Sequence, residues 1–272
     1  MARKLAYQAL KLVGKNWGKS SLTIEKNRGN IRRLVDRIER RFGLEDIHNL
    51  KPRHLTTMFE EMKAEGLEAV TLSGYATAAR TVAQAIGKQN IMPRTNQELG
   101  FSRAGERFRP IHADSQGLEE VRRRLYARSE WQGLANDLRM QFGLRAKESL
   151  LSVAAVESDG TEYLEVRGAK GGRPRRVPVE NDAQKELLGR IRQFVQDKGQ
   201  TSLIPNGMTL KQAYDRQRND LHRLGATKAV RANAHALRHA YVQSQGARGV
   251  PTDELASRIG HGREEVLKHY GA

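Results

Sequence analysis

The sequence predicts a mainly α protein with one small β element (α+β), arranged as two folded parts. Three observations carry that expectation. Apolar residues recur at helical spacing over most of the 272 residues, a single β-type segment surrounds a glycine-rich turn near residue 170, and a basic stretch poor in apolar residues separates a first helical block from the rest. With 38% hydrophobic residues the chain can bury a substantial core, so a wholly disordered basic tail is excluded.

In the first block Leu22, Ile24, Ile31, Leu34, Val35, Ile38 and Phe42 define a helical face, with Arg32, Arg33, Arg37, Arg40 and Arg41 interleaved. Pro52 suits the first position of a following helix, whose N–H has no intrahelical partner anyway, and Gly66 suits its stop. A further helix is expected over residues 70–86. These elements make residues 1–87 a helical domain with a basic face. Residues 88–112, interrupted by Pro93, Gly100, Gly105 and Pro110 and charged by Arg94, Arg103, Arg107 and Arg109, read as a basic linker, either a solvated connector or an arm that tracks DNA. Helical spacing resumes at Leu118, Val121, Leu125, Leu134, Leu138 and Phe142 and opens a second domain over residues 113–272. Tyr163, Leu164 and Val166 before Gly168, Gly171 and Gly172, with Val177 and Val179 after them, predict a β-hairpin. From residue 181 the pattern is helical, with breaks at 205–207, 225, 246–251 and 260–262.

The net charge is +17, and residues 1–110 hold 21 basic and 11 acidic residues, so the excess is not confined to one tail. A polyanion is the first partner to consider, because Lys and Arg that neutralise phosphates release condensed counterions; a membrane surface is the weaker rival. The absence of Cys excludes disulfide scaffolds, Cys-ligated metals and Cys nucleophiles, and fits a reducing compartment. No run of ~18 apolar residues is present, and Met-Ala-Arg-Lys is not the start of a signal peptide, so a cytoplasmic, DNA-associated protein with no membrane partner is expected.

Two patterns mislead. Gly18-Lys19-Ser20 resembles a phosphate-binding loop, but that motif needs Gly where Val13 stands, and Gly14 is one residue out of register. His235 and His239 stand four apart on a helix, yet the zinc-protease pattern needs Glu where Ala236 stands. No metal site is therefore expected.

A third constellation carries more weight: Gly143-Leu144-Arg145 with Glu148, Lys170 in the hairpin turn, His235-Ala236-Leu237-Arg238-His239, Gly260-His261, and Tyr270. Singly, each has a bland alternative: a surface Arg, a turn Lys, a core His, a half-buried aromatic. Together, in this order, they resemble the tyrosine recombinase family, the integrases and resolvases that share a catalytic domain with type IB topoisomerases. The family's first Arg lies in a Gly-Leu-Arg-x-x-Glu segment, its Lys in a β-hairpin turn, and its second Arg in a His-x-x-Arg-His box. A Gly-His follows, and nine residues after that His comes the Tyr nucleophile. The resemblance covers residues 113–272 by motif and, more loosely, the N-terminal part as the family's core-binding domain. Ile259 stands where the family usually has Leu. Only Gly271 and Ala272 follow Tyr270, whereas many members carry a further segment that docks on a neighbouring protomer, so a different or weaker linkage between protomers is expected.

The resemblance implies Arg145, Lys170, His235, Arg238, His261 and Tyr270 as catalytic residues, with Glu148 and His239 as supports. Two Arg forks can neutralise the non-bridging oxygens of a phosphodiester without a metal. A tyrosine can hold the phosphate covalently, so no ATP is required, and no cofactor is implied. Lys170 is the family's general acid for the departing 5′-oxygen, and His235 and His261 would contact the phosphate and manage the tyrosine proton. Arg32, Arg33, Arg103, Arg107, Arg173 and Arg175 are candidate DNA contacts. The implied function is site-specific recombination or integration by a mobile-element enzyme through a 3′-phosphotyrosyl intermediate. Its partners would be double-stranded DNA recombination sites, held by a homotetramer on two sites, with DNA-bending accessory proteins beside them. A monomeric type IB topoisomerase-like enzyme and a non-catalytic sequence-specific DNA-binding protein are the alternatives.

Overall fold

The computed structural model describes residues 4–14, 18, 21–101, 110–168, 174–227 and 232–271. The chain divides into two units, Met1–Glu106 and Arg107–Ala272. The first is helical: α1 (Lys4–Val13), α2 (Ser21–Phe42), α3 (Pro52–Ala64) and α4 (Ala69–Ala85), with 3-10 turns at Ile47–Asn49 and Gln89–Ile91. The apolar stripe of α2, Ile31, Leu34, Val35 and Ile38, is buried against Leu5, Met58, Met62, Ala76 and Ala79, while Arg32 and Arg33 on the same helix stay exposed. Pro52 occupies the first turn of α3, and Gly66, at φ +79°, follows the helix as its stop.

The basic linker expected over residues 88–112 is not a free connector in its first part. Met92 and Phe101 are buried in the core of the first unit, and the Phe101 ring meets Phe59 edge-on at 5.2 Å. Arg80 of α4 donates to the Pro93 carbonyl at 3.0 Å and to Asn96 Oδ1 at 2.7 Å. Two well-placed apolar anchors and a donor that satisfies one backbone carbonyl and one side-chain amide hold the segment, so its low apolar density was a poor guide. Arg103 and Arg107 lie outside the described residues.

The second unit contains α5 (Ser115–Arg128), α6 (Glu130–Phe142), α7 (Glu148–Leu151), β1 (Ala155–Ser158), β2 (Thr161–Val166) and β3 (Arg175–Pro178). After the strands come α8 (Asp182–Asp197), α9 (Leu210–Arg223), α10 (Ala234–Ala247), α11 (Thr252–Arg258) and a 3-10 turn at Glu264–His269. The expected hairpin is present as the antiparallel pair β2–β3, with Leu164 opposite Val177 and both fully buried. The sheet has a further strand: β1 pairs with β2 through a turn at Asp159 and Gly160, both at positive φ (51° and 74°), as a tight hairpin requires. Lys170 and Arg173, with the glycines of the β2–β3 turn, lie outside the described residues.

Helix α6 is buried on nearly every side. Three of its polar residues are paired: Gln132 Nε2 donates to Asp220 Oδ2 at 2.9 Å, Arg139 Nε donates to Ser149 Oγ at 3.0 Å, and Arg122 forks onto Asp137. Packing of α6 against α10 sets the end of α6, and the loop that follows it, against the helix carrying His235, Arg238 and His239. Among the described residues no helix is long and apolar enough to cross a membrane, and no group of three His or carboxylate side chains could hold a metal.

Candidate active site

The first turn of the site begins where α6 stops. Gly143 takes φ +64°, and a Cβ there would lie 2.4 Å from the Tyr241 ring, so both its backbone and its neighbour require glycine. The reversal buries Leu144 and turns the chain to present Arg145. Glu148 Oε2 accepts from the Arg145 backbone N–H and its Oε1 from Arg145 Nη1, both at 2.9 Å, which fixes the guanidinium by a short-range clamp.

Glu148 is fully buried and serves a second cation. Arg175, at the start of β3, donates to Glu148 Oε2 at 2.9 Å and Oε1 at 3.2 Å, while its Nε donates to the Arg258 carbonyl at 2.6 Å. Burial pushes the Glu148 carboxyl up, but the bonds from Arg175 and Arg145 outweigh it and hold its pKa at about 2. Arg175 was expected to face DNA. Its side chain is instead 8% exposed and turned inward, because a buried carboxylate must be neutralised and Arg145 alone offers one fork. By the same bonds Arg175 anchors the root of the β2–β3 turn beside Arg145.

Helix α10 supplies the central residues. Asn233 caps it, its Oδ1 accepting from the His235 and Ala236 N–H groups at 2.9 and 3.2 Å. His235 therefore stands exposed on the first turn, and Arg238 and His239 follow on the buried side. Arg238, 2% exposed, donates from Nη1 to the Gly143 carbonyl at 2.6 Å, from Nη2 to the Ile259 carbonyl at 2.5 Å, and from Nε to the Tyr270 hydroxyl at 3.0 Å. Three directions of one fork thus tie together the first turn, the Gly-His turn and the tyrosine.

The Gly-His turn is equally tight. Gly260 sits at φ +69°, and a Cβ there would come within 2.9 Å of Arg175 and 3.3 Å of Arg145. Its carbonyl accepts from Arg145 Nη2 at 3.3 Å. His261 Nε2 lies 3.4 Å from Arg145 Nη2 and 3.3 Å from the Tyr270 hydroxyl. Burial, with Arg238 and Arg145 nearby, lowers the His261 pKa to about 4, so the ring is neutral at pH 7. His239 is likewise lowered to about 4, first by burial and then by His235 and Arg238.

Tyr270 follows the 3-10 turn and is 6% exposed. Its ring centroid is 4.6 Å from that of His239 and 6.0 Å from that of His235. Because Arg238 can only donate, the hydroxyl must accept from it, which leaves the hydroxyl proton free to point at His261 Nε2 in the tautomer where that nitrogen is bare. Such a site can bind an oxyanion, at the 35%-exposed Arg145 side chain and at His235, and can take a proton from a phenol.

Seven residues expected from the sequence, Arg145, Glu148, His235, Arg238, His239, His261 and Tyr270, therefore converge within one unit. Lys170 cannot be placed with them, and Arg32 and Arg33 lie on the other unit, where Arg33 donates to Asn30 at 2.8 Å. One residue at the site had no signal in the sequence pattern: Gln243 of α10, whose Nε2 donates to the Tyr270 carbonyl at 2.7 Å and the Ile111 carbonyl at 3.1 Å.

Comparison with known proteins identifies the family. Residues 100–244 match the family described as Integrase, and residues 1–92 match the family described as Phage integrase, N-terminal. No curated protein matches the sequence. Among solved structures, the XerH site-specific recombinase in its post-cleavage complex with a palindromic difH substrate is similar at a TM-score of 0.67 and 19% identity, over 92% of this chain and 76% of that one. A lambda integrase (75-356) dimer bound to a COC′ core site is similar at 0.64 and 16% identity, over 94% and 90%. A lambda integrase tetramer bound to a Holliday junction is similar at 0.62 and 15% identity, over 97% and 75%. With a family match across more than half its length and the same fold in these structures, the chain belongs to the tyrosine recombinase family of integrases.

Proposed function

We propose that this integrase is a site-specific DNA recombinase that cuts and rejoins strands through a 3′-phosphotyrosyl intermediate, without metal or ATP. The observation that carries the reading is the Tyr270 hydroxyl held 3.0 Å from Arg238 Nε and 3.3 Å from His261 Nε2. Arg145 binds the non-bridging oxygens of the scissile phosphate, and Arg238, whose part there rests on the motif match since its buried fork is held by Gly143, Ile259 and Tyr270, stabilises the charge that builds on them. The Tyr270 oxygen attacks phosphorus as its proton passes to His261 or onward to solvent. The P–O5′ bond breaks, and the 5′-oxygen takes a proton from Lys170, whose assignment rests on the motif match. The reverse attack by the partner strand's 5′-hydroxyl expels Tyr270 and closes the exchanged strand. That the Tyr270 hydroxyl meets Arg238 and His261 of its own chain supports cleavage in cis.

The N-terminal unit supplies exposed basic side chains such as Arg32 and Arg33 for the phosphate backbone. Four protomers on two DNA sites follow from the chemistry of two sequential exchanges. The lambda integrase tetramer on a Holliday junction is a similar chain in such an assembly.

The test is incubation in EDTA with a pool of nicked suicide duplexes randomised around the nick. An SDS-resistant protein–DNA adduct is expected, and it should vanish in Tyr270→Phe. A strict requirement for Mg²⁺, or an adduct that survives Tyr270→Phe, would sink the reading.

A further inference from the structure

We propose that Gln243 is a positioning residue for the nucleophile: one side-chain amide fixes the Tyr270 main chain and ties it to Ile111 at the start of the catalytic unit. This deepens the recombinase reading and rests on it.

Tyr270 needs such a support. It follows a 3-10 turn, whose hydrogen-bond geometry is poorer than that of an α-helix, and its carbonyl is among the end groups such a turn leaves without an internal partner. Its own N–H donates to the Leu267 carbonyl at 2.7 Å, and Gly271 then reverses the chain at φ +83°. The placement of the backbone at Tyr270 is therefore set largely by side chains from another element.

That element is α10, which holds the tyrosine at both ends. Arg238 donates to the hydroxyl, the His239 ring lies against the phenol ring, and Gln243 donates to the carbonyl. A primary amide has two N–H groups, and Gln243 uses the other on the Ile111 carbonyl at 3.1 Å. Ile111 is gripped again through its N–H, which donates to His239 Nδ1 at 3.2 Å. A Cβ on Gly271 would come 2.9 Å from Pro110 Cβ and 3.5 Å from Gln243 Nε2, so residues 110–111, Gly271 and the Gln243 amide form one close-packed clasp. Removing the amide takes a donor from each of two carbonyls, leaving His239 as the remaining partner of the Tyr270 carbonyl, and loosens the tyrosine segment while Arg238 stays fixed by Gly143 and Ile259. A nucleophile misplaced by ~1 Å loses about a hundred-fold in rate.

The test compares the full chain with Gln243→Met, which keeps side-chain length and removes both donors. In single-turnover cleavage of the nicked duplexes, the rate of adduct formation at saturating DNA is expected to fall about ten- to a hundred-fold, while the half-saturating DNA concentration stays within about two-fold. An unchanged saturating rate, or a change confined to half-saturation, overturns the proposal. Failure of the unaltered chain to form any adduct sinks the recombinase reading instead, and a second measurement then still decides the positioning role. 3-Fluorotyrosine at position 270 is expected to give one fluorine resonance in the DNA-free chain and a broadened or split one in Gln243→Met, with the same label at Tyr163 in the sheet unmoved. Identical spectra at position 270, or equal disturbance at Tyr163, overturn the proposal.

Discussion

Glu148 shows how one buried charge can organise a site built from cations. It accepts from Arg145 twice and from Arg175 twice, so two guanidinium groups that would repel one another are held side by side. Replacing it with Gln keeps the shape and removes the charge, leaving Arg175 buried without a counter-ion. Glu148→Gln is expected to lower stability by about 3 kcal/mol and to abolish cleavage, read by urea unfolding and by adduct formation. The residues that meet at the site were legible in the sequence because their types and their order along the chain are distinctive. Arg175 was misread for the opposite reason. An Arg between a glycine-rich turn and a strand reads as a phosphate contact, and only the fold shows that a buried carboxylate 27 residues away claims it. Gln243 was invisible because its partners are main-chain atoms, which carry no sequence signature.

At the scale of elements, the site is a meeting of turns, each ending on a residue whose backbone tolerates little change. Gly143 closes α6 and hands its carbonyl to Arg238. Gly143→Ala must accommodate both a positive φ and a Cβ 2.4 Å from the Tyr241 ring. A loss of about 2–4 kcal/mol is expected in unfolding experiments, with adduct formation reduced beyond what the unfolded fraction explains. The helices were legible from spacing, and α4 begins and ends within one residue of its expected span. Strand β1 was not, because Ala155 and Ser158 are weak strand formers and none of its four residues is buried. The Asp159-Gly160 pair was the available signal, since that dipeptide suits a two-residue hairpin turn.

Over the whole molecule, protonation links the site to stability. The folded pKa values of His239 and His261, about 4, lie below their ordinary value of 6.5. The unfolded chain thus binds more protons than the folded one between those limits. Their contribution is complete above pH 6.5 and is lost as the pH falls toward 4; that of Glu148 is lost only below about 4.5, toward 2. Urea midpoints are expected to be flat above pH 7 and to fall from pH 6.5 downward, and His261→Gln should reduce the fall. A midpoint independent of pH between 7 and 4.5 would show that these rings are not held neutral. The charge of +17 made a polyanion the first partner to expect, whereas the low apolar density of residues 88–112 gave no sign that Met92 and Phe101 reach a core that no local pattern announces.

The close approach of Pro110 and Gly271 also bears on how the catalytic unit could be recut. Its described ends meet, so the chain from 110 to 271 is almost a closed ring whose seam lies beside Tyr270. A short peptide across that seam, with new ends opened at the exposed Asn206-Gly207 turn, would make a circular permutant without stretching any helix or strand. Any bulky group appended after Gly271 would instead emerge at the seam and press on the clasp that holds Tyr270.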